Sequence, residues 1–140
     1  MSIVTDIMRY LANKGIVSYS ETGGTNNIFM GKLPAEPSFA IAVNPSGGYN
    51  ASIKHDYDLP TIQILVRGTV DPRTGYEKAM AIYDALHGFG SGAFVAGGYW
   101  VVKCEGIQSE PIYIGQDENG RHMYTLNFAI EVKRPSMYRG

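Results

Sequence analysis

The sequence predicts a single α+β domain in which two helices pack on one face of a mostly antiparallel or mixed sheet. Two segments carry apolar residues at helical spacing, and several others alternate apolar and polar residues, as strands do. The helices do not alternate with every strand, which argues against a doubly wound parallel sheet. The chain has 140 residues, the usual length of one domain, so we expect residues 1–140 to share one core.

The two helices are indicated by their apolar stripes and by the residues at their ends. The first is expected to begin at Ile3, after the capping residue Ser2, and to end near Gly15. The second is expected over Gly75–Leu86, with Gly88 ending it. Its apolar stripe consists of Tyr76, Ala79, Met80, Tyr83 and Leu86.

The strands are predicted from alternation, most clearly at the end of the chain. Met123–Lys133 is expected to lie inside the sheet, and the Asn119-Gly120 turn predicts that it pairs antiparallel with Ile112–Gly115. Its apolar face is formed by Tyr124, Leu126, Phe128, Ile130 and Val132. The other expected strands are Ile16–Tyr19, Ile28–Leu33, Phe39–Val43, Thr61–Arg67 and Trp100–Glu105, the last with Trp100, Val102 and Cys104 on one face.

Three polar or glycine-rich segments are predicted as loops. They are Glu21–Asn27, Asn44–Leu59 and Phe89–Gly98, and the last two are long enough to suggest a function. Aromatic residues in such loops are typical of protein interfaces, so both are expected to be mobile in the free subunit and to become ordered against a partner. The candidate interface residues are Tyr49, Tyr57, Phe89 and Phe94, with Asp56 and Asp58 at a polar rim; Tyr99 and Tyr138 are further loop tyrosines. The alternative for Phe94 is that it folds back onto its own core.

Composition and motifs argue against several other classes of function. The net charge of −1 gives no electrostatic drive for tight nucleic-acid binding, and no apolar run reaches the length of a membrane span. His55, His87 and His122 lack the spacing of metal ligands, and Cys104 lies within a strand. We therefore expect no catalytic residue, metal or cofactor, and synthesis in the cytoplasm. An enzyme with a dispersed active site, or a nucleic-acid-binding module with clustered Lys and Arg, remains the alternative.

Three stretches carry a resemblance to a known family. These are residues 58–68 (DLPTIQILVRG), the helix Gly75–Leu86, and the segment from Pro111-Ile112-Tyr113-Ile114-Gly115 through Phe128–Lys133. In the order of their elements and in their local residue patterns, they resemble the small phage proteins known as minor capsid proteins. Those proteins are related to the tail terminator and head–tail joining proteins of long-tailed phages. The resemblance extends from about Asp58 to the end of the chain.

This resemblance implies a structural virion protein made in the host cytoplasm. It implies a ring, typically of six copies, that terminates the tail tube and joins it to the head connector protein. The expected partners are further copies of the chain, the tail tube protein and the head connector, with DNA passing through the lumen without specific binding. The resemblance carries over no catalytic, metal or cofactor residues.

Overall fold

The computed structural model describes residues 2–20 and 26–136. Within them the chain forms two helices and seven strands. Most of the loop expected at Glu21–Asn27, and Tyr138, lie outside these residues. The helices are α1 (Ile3–Asn13) and α2 (Pro72–Leu86). The strands are β1 (Ile28–Met30), β2 (Ala40–Tyr49), β3 (Tyr57–Arg67), β4 (Gly90–Ala93), β5 (Trp100–Gly106), β6 (Ile112–Gln116) and β7 (His122–Lys133).

The strands form one mixed sheet in the order β1-β2-β3-β7-β5-β4. β1 runs parallel to β2, and the other neighbouring strands are antiparallel. β7 lies inside the sheet, with β3 on one side and both β5 and β6 on the other. β6 pairs with the first half of β7 and β5 with the second half, so these two short strands lie end to end. The predicted α+β class and the predicted pairing of the last two strands are confirmed.

The core lies between the helices and one face of the sheet. The five predicted apolar residues of β7 are buried, together with Ile62, Ile64 and Val66 of β3. α2 packs over β3, β5 and β7, and α1 packs over β1 and β2. The helices meet where the Tyr10 hydroxyl donates to the carbonyl oxygen of Ala85, at 2.9 Å. Burial of this apolar face is the main force that holds the domain together.

The helix ends follow the capping rules. The Ser2 hydroxyl accepts the N–H of Thr5, as predicted. α2 begins three residues earlier than predicted, because Asp71 caps it by accepting the N–H of Arg73, and Pro72 suits a first helical position.

Asn44–Leu59 is largely a hairpin and not the predicted long loop. β2 and β3 extend into it, and residues 50–56 alone form the connection. Pro45, Gly47 and Gly48 do not stop β2, because a bulge between Pro45 and Gly48 accommodates the positive φ angles of both glycines. A Cβ on Gly48 would lie 2.2 Å from the carbonyl oxygen of Leu59, so glycine is required at this close approach. We call Tyr49 to Tyr57 the hairpin tip.

Three other predictions differ from the structure. Phe89–Gly98 contains β4 and packs on the core, while Ile16–Tyr19 forms no strand. In β5 a register shift between Val101 and Lys103 places Val101 and Cys104 in the core, and leaves Trp100 half-exposed on the opposite face. Simple alternation assumes an unbroken pleat, so it cannot locate such a bulge.

Candidate assembly interface

The segment at residues 35–38 is held beside the end of β3 and the start of β7. Two buried arginines hold this segment. Arg67 donates to the carbonyl oxygens of Pro37 and Ser38, at 2.7 and 3.0 Å, and Arg121 donates to that of Ala35, at 2.7 Å. These cations therefore have a structural role within the chain.

The Arg121 guanidinium also pairs with Asp117, at 2.7 Å. Burial raises the pKa of the Asp117 carboxyl, but hydrogen bonds from Arg121 and Asn119 outweigh it and hold that pKa below its ordinary value. Burial, followed by the positive charge of Arg121, lowers the pKa of Arg67. The carboxylate thus offsets part of the charge that the two arginines bring under the segment.

The hairpin tip and the start of β5 expose aromatic and aliphatic side chains at one end of the molecule. Tyr49 is 67% exposed and Ile53, at the turn, is 82% exposed. Tyr57 and Trp100 both lie opposite Lys133 in the strand register, so they share the face of the sheet that carries no helix. We call Tyr49, Ile53, Tyr57 and Trp100 the tip surface.

An open groove of about 280 Å³ runs beside Tyr49 on the same face. Leu59, Ile107 and Ala129 supply apolar lining, and its charged lining residues are Lys103, Glu105 and Glu131. A groove with apolar and charged lining suits contact with another protein surface.

β6 exposes a second apolar surface. Ile112, Tyr113 and Ile114 are 44%, 51% and 47% exposed, and residues 112–116 (IYIGQ) contain no charge. Within the described chain β6 pairs with β7 alone, so the strand position on its other side, roughly in line with β4, is vacant. The Tyr113 hydroxyl bonds Nδ1 of His122, at 3.0 Å, which holds the ring in place. We call Ile112, Tyr113 and Ile114 the edge surface. An apolar open edge without charged residues is a natural site for a partner.

The two surfaces lie at opposite ends of β7. The edge surface adjoins Tyr124 and Thr125, and the hairpin tip adjoins Val132 and Lys133. Eight residues of extended strand separate Tyr124 from Val132, which corresponds to about 27 Å. The chain thus presents two different apolar surfaces that are far apart.

The structure places the six predicted interface residues in two groups. Tyr49 and Tyr57 are exposed on the hairpin tip. Asp58 is mostly buried in an ion pair with Arg134, and the backbone carbonyl of Asp56 accepts the N–H of Arg134, at 2.6 Å. Asp58 therefore stabilises the base of the hairpin and is not placed at an exposed rim.

The other two predicted residues pack inward. Phe89 and Phe94 stack on each other, with ring centroids 4.3 Å apart, and both contact the ring of Tyr10. Phe94 is 5% exposed, so it takes the alternative position on its own core. Sequence reasoning missed Ile53, Trp100 and the edge surface, although the isolated Ile53 in a polar loop was a usable signal.

The described residues give little support for catalytic chemistry. They contain no group of three or more His, Cys, Asp and Glu side chains arranged to hold a metal ion. Burial raises the pKa of the Cys104 thiol to about 12, so the thiolate that a nucleophile requires is scarce at neutral pH. In the same part of the chain, no helix has the length and apolar character needed to span a membrane.

Comparison with known proteins gives one clear result. A family model described as "Bacteriophage tail terminator protein" matches residues 10–134. The match begins within α1 and includes α2 and every strand of the sheet. No curated protein matches the chain.

Proposed function

Because the chain belongs to the bacteriophage tail terminator family, and is thus a structural tail protein of a phage, we propose that it terminates the tail tube as a ring of identical copies. The ring joins the tube to the head connector, and six copies is the number we propose. In this role the protein acts by contact with other proteins and becomes part of the virion.

The edge surface is the observation that carries this proposal. An uncharged strand edge with three consecutive exposed apolar side chains is a liability for a protein that stays monomeric. A ring of identical copies requires two different surfaces on each copy, because a head-to-tail contact closes only when unlike surfaces meet around an axis. The edge surface and the tip surface satisfy that requirement.

The charge of the chain supports the proposed path of DNA through the ring. With a net charge of −1 the subunit offers no general attraction for a polyanion. Arg67 and Arg121 hold the chain's own backbone, and Arg73 and Arg134 form ion pairs with Asp71 and Asp58. A lumen formed by such a subunit lets DNA pass without gripping it.

A mass measurement tests the proposal directly. The purified chain is measured by light scattering and native mass spectrometry, alone and after mixing with the tail tube protein of the same phage. We expect a closed oligomer, of six copies, that binds the end of the tube in electron micrographs. A chain that stays monomeric in both conditions would contradict the proposal, and so would one that coats the sides of tubes without binding their ends.

A further inference from the structure

The two exposed apolar surfaces fit each other across neighbouring copies. We propose that the hairpin tip of one copy docks on the edge surface of the next, so that the ring contact is a repeated tip-to-edge contact. This inference rests on the proposed ring and specifies the residues that form it. It assigns Ile53 as the central side chain on one side, and Ile112 and Ile114 as its receiving surface on the other.

The edge surface has room to bind an extended or protruding segment. Next to β6 lies a vacant strand position, and no hydrogen bond within the described chain reaches the outer edge of that strand. Ile112 and Tyr113 lie opposite Thr125 and Tyr124, which point to opposite faces of β7, so exposed apolar surface is available on both faces of β6. Ile114 lies at the register shift that follows Tyr113. A segment that docks here covers apolar surface and unpaired backbone groups together.

The hairpin tip, which would dock on the neighbouring copy, is held in place by its paired stem. Paired backbone continues to Tyr49 and Leu59, and Arg134 fixes the base of the hairpin through Asp56 and Asp58. Ile53 is therefore presented on a short connection from a paired stem. A prearranged tip loses less conformational entropy on docking than a free loop does.

Charge complementarity favours the contact between tip and edge. Glu110 and Glu118 are exposed on either side of β6 along the chain. At the tip the exposed Lys54 adjoins Ile53, whereas Asp56 is partly buried, and Lys133 adjoins the base of the hairpin. Carboxylates beside the receiving surface and amines beside the donating surface attract each other and fix their orientation.

A contact between two edge surfaces is less favourable. It would bring the carboxylates of Glu110 and Glu118 on one copy towards the same residues of the other, and it would close as a dimer with both tips uncovered. A tip cannot reach the edge surface of its own copy, because about 27 Å of β7 separate them. The occupant of the edge surface is therefore the tip of a second copy.

A mixing experiment tests this contact. Ile53→Glu damages the tip and Ile114→Glu damages the edge, and both side chains are exposed enough for the variants to fold. Each variant alone is expected to be monomeric. An equimolar mixture retains one intact tip and one intact edge per pair, so it should form a one-to-one dimer and nothing larger. Assembly of either single variant into rings overturns the inference, as does a mixture that stays monomeric. A wild-type chain that is monomeric, alone and with tube protein, instead contradicts the proposed function.

Disulfide trapping gives a second, independent measurement. Oxidation of the double variant Ile53→Cys, Ile114→Cys should produce a ladder of covalent oligomers on a denaturing gel, ending at the size of the ring. The matched control pairs Ile53→Cys with Met30→Cys, because Met30 is exposed on β1, at the opposite edge of the sheet from β6. The native Cys104 is buried and does not contribute. If the wild type forms rings and the two double variants cross-link equally, the tip-to-edge contact is wrong while the ring proposal stands.

Discussion

Two separate Leu→Ala variants, one on each face of the sheet, test the pairing register of β3 and β7, on which the positions of the tip surface and the edge surface depend. Leu126 of β7 is fully buried between the sheet and α2, whereas Leu65 of β3 lies on the opposite face and is partly exposed. They occupy adjacent strands, since Leu126 pairs with Ile64 and Leu65 pairs with Thr125. The two Leu→Ala changes thus remove the same atoms from neighbouring positions on opposite faces.

The expected costs differ by roughly a factor of two. Leu→Ala at a fully buried site costs about 2.7–5 kcal/mol, and for Leu126 we expect about 3–4 kcal/mol of lost unfolding free energy. For Leu65, where part of the side chain stays in water, we expect about 1–2 kcal/mol. With a urea slope of about 2 kcal/mol/M, these costs lower the denaturation midpoint by roughly 1.5–2 M and 0.5–1 M.

Urea denaturation followed by circular dichroism measures both variants. Because assembly stabilises the folded chain by mass action, the series is repeated at several protein concentrations and the low-concentration limit is compared. A slip of the strand by one residue would exchange the two faces. Equal costs, or a larger cost at Leu65, would therefore refute the assignment of Leu126 to the core and of the opposite face to the surface.

Three further predictions concern single sites. Gly98→Ala should lower the free energy of unfolding by about 1–3 kcal/mol, because the new Cβ would lie 2.7 Å from the Asp6 carboxylate. In the control Gly92→Ala the new Cβ meets nothing closer than 4.0 Å, so its melting temperature should stay close to that of the wild type, and thermal melts compare the two variants. Cys104 is buried and should react with a thiol reagent at pH 8 only as fast as the chain unfolds. Because burial raises the pKa of its thiol from 9.0 to about 12, the free energy of unfolding should decrease as the pH rises from 9 towards 12. The pKa of Asp117 in the folded chain is below its ordinary value of 3.8, so the ionised carboxylate stabilises the fold above pH 3.8, and this stabilisation is lost as the pH falls below 3.8. The urea midpoint of Asp117→Asn should therefore fall less than that of the wild type between pH 5 and pH 3.

Local patterns were sufficient to predict the parts of the fold that are locally determined. The face of β7 repeats without interruption for nine residues, from Tyr124 to Val132, and burial follows it throughout. Ser2 and the apolar stripe of α1 likewise act within one helix. Such elements are predictable because their signal and their structure occupy the same few residues.

Features that depend on contacts between distant residues were not predictable in the same way. Pro45 and Gly48 are ordinary signs of a loop, but β3 is available to pair with them, and the hairpin continues past both. The bulge in β5 moves Val101 into the core and Trp100 out of it, because β7 provides the register that β5 must match. Tertiary pairing outweighs local propensity in both places.

The two candidate surfaces also differ in how far they could be predicted from the sequence. Tyr49 and Tyr57 could be chosen from sequence because aromatic residues beside a polar turn are conspicuous whatever the fold. The edge surface could not, because Ile112 and Ile114 read equally well as residues of a covered strand. They are exposed only because β5 and β6 share one side of β7 and leave the next strand position vacant.

The open edges of the described sheet differ in a way that favours β6 as the place of extension. β1 has three residues, and β4 has four, including two glycines and Ser91 with a φ of 56°. Short, irregular edges of this kind resist the addition of a further strand. β6 is the longest of these edges, with five residues and an uncharged apolar row, although a register shift between Tyr113 and Gly115 interrupts its pairing with β7. Because a bare apolar edge invites aggregation in any protein that keeps it uncovered, the exposed apolar row of β6 is best explained by an assembled state in which another subunit covers it.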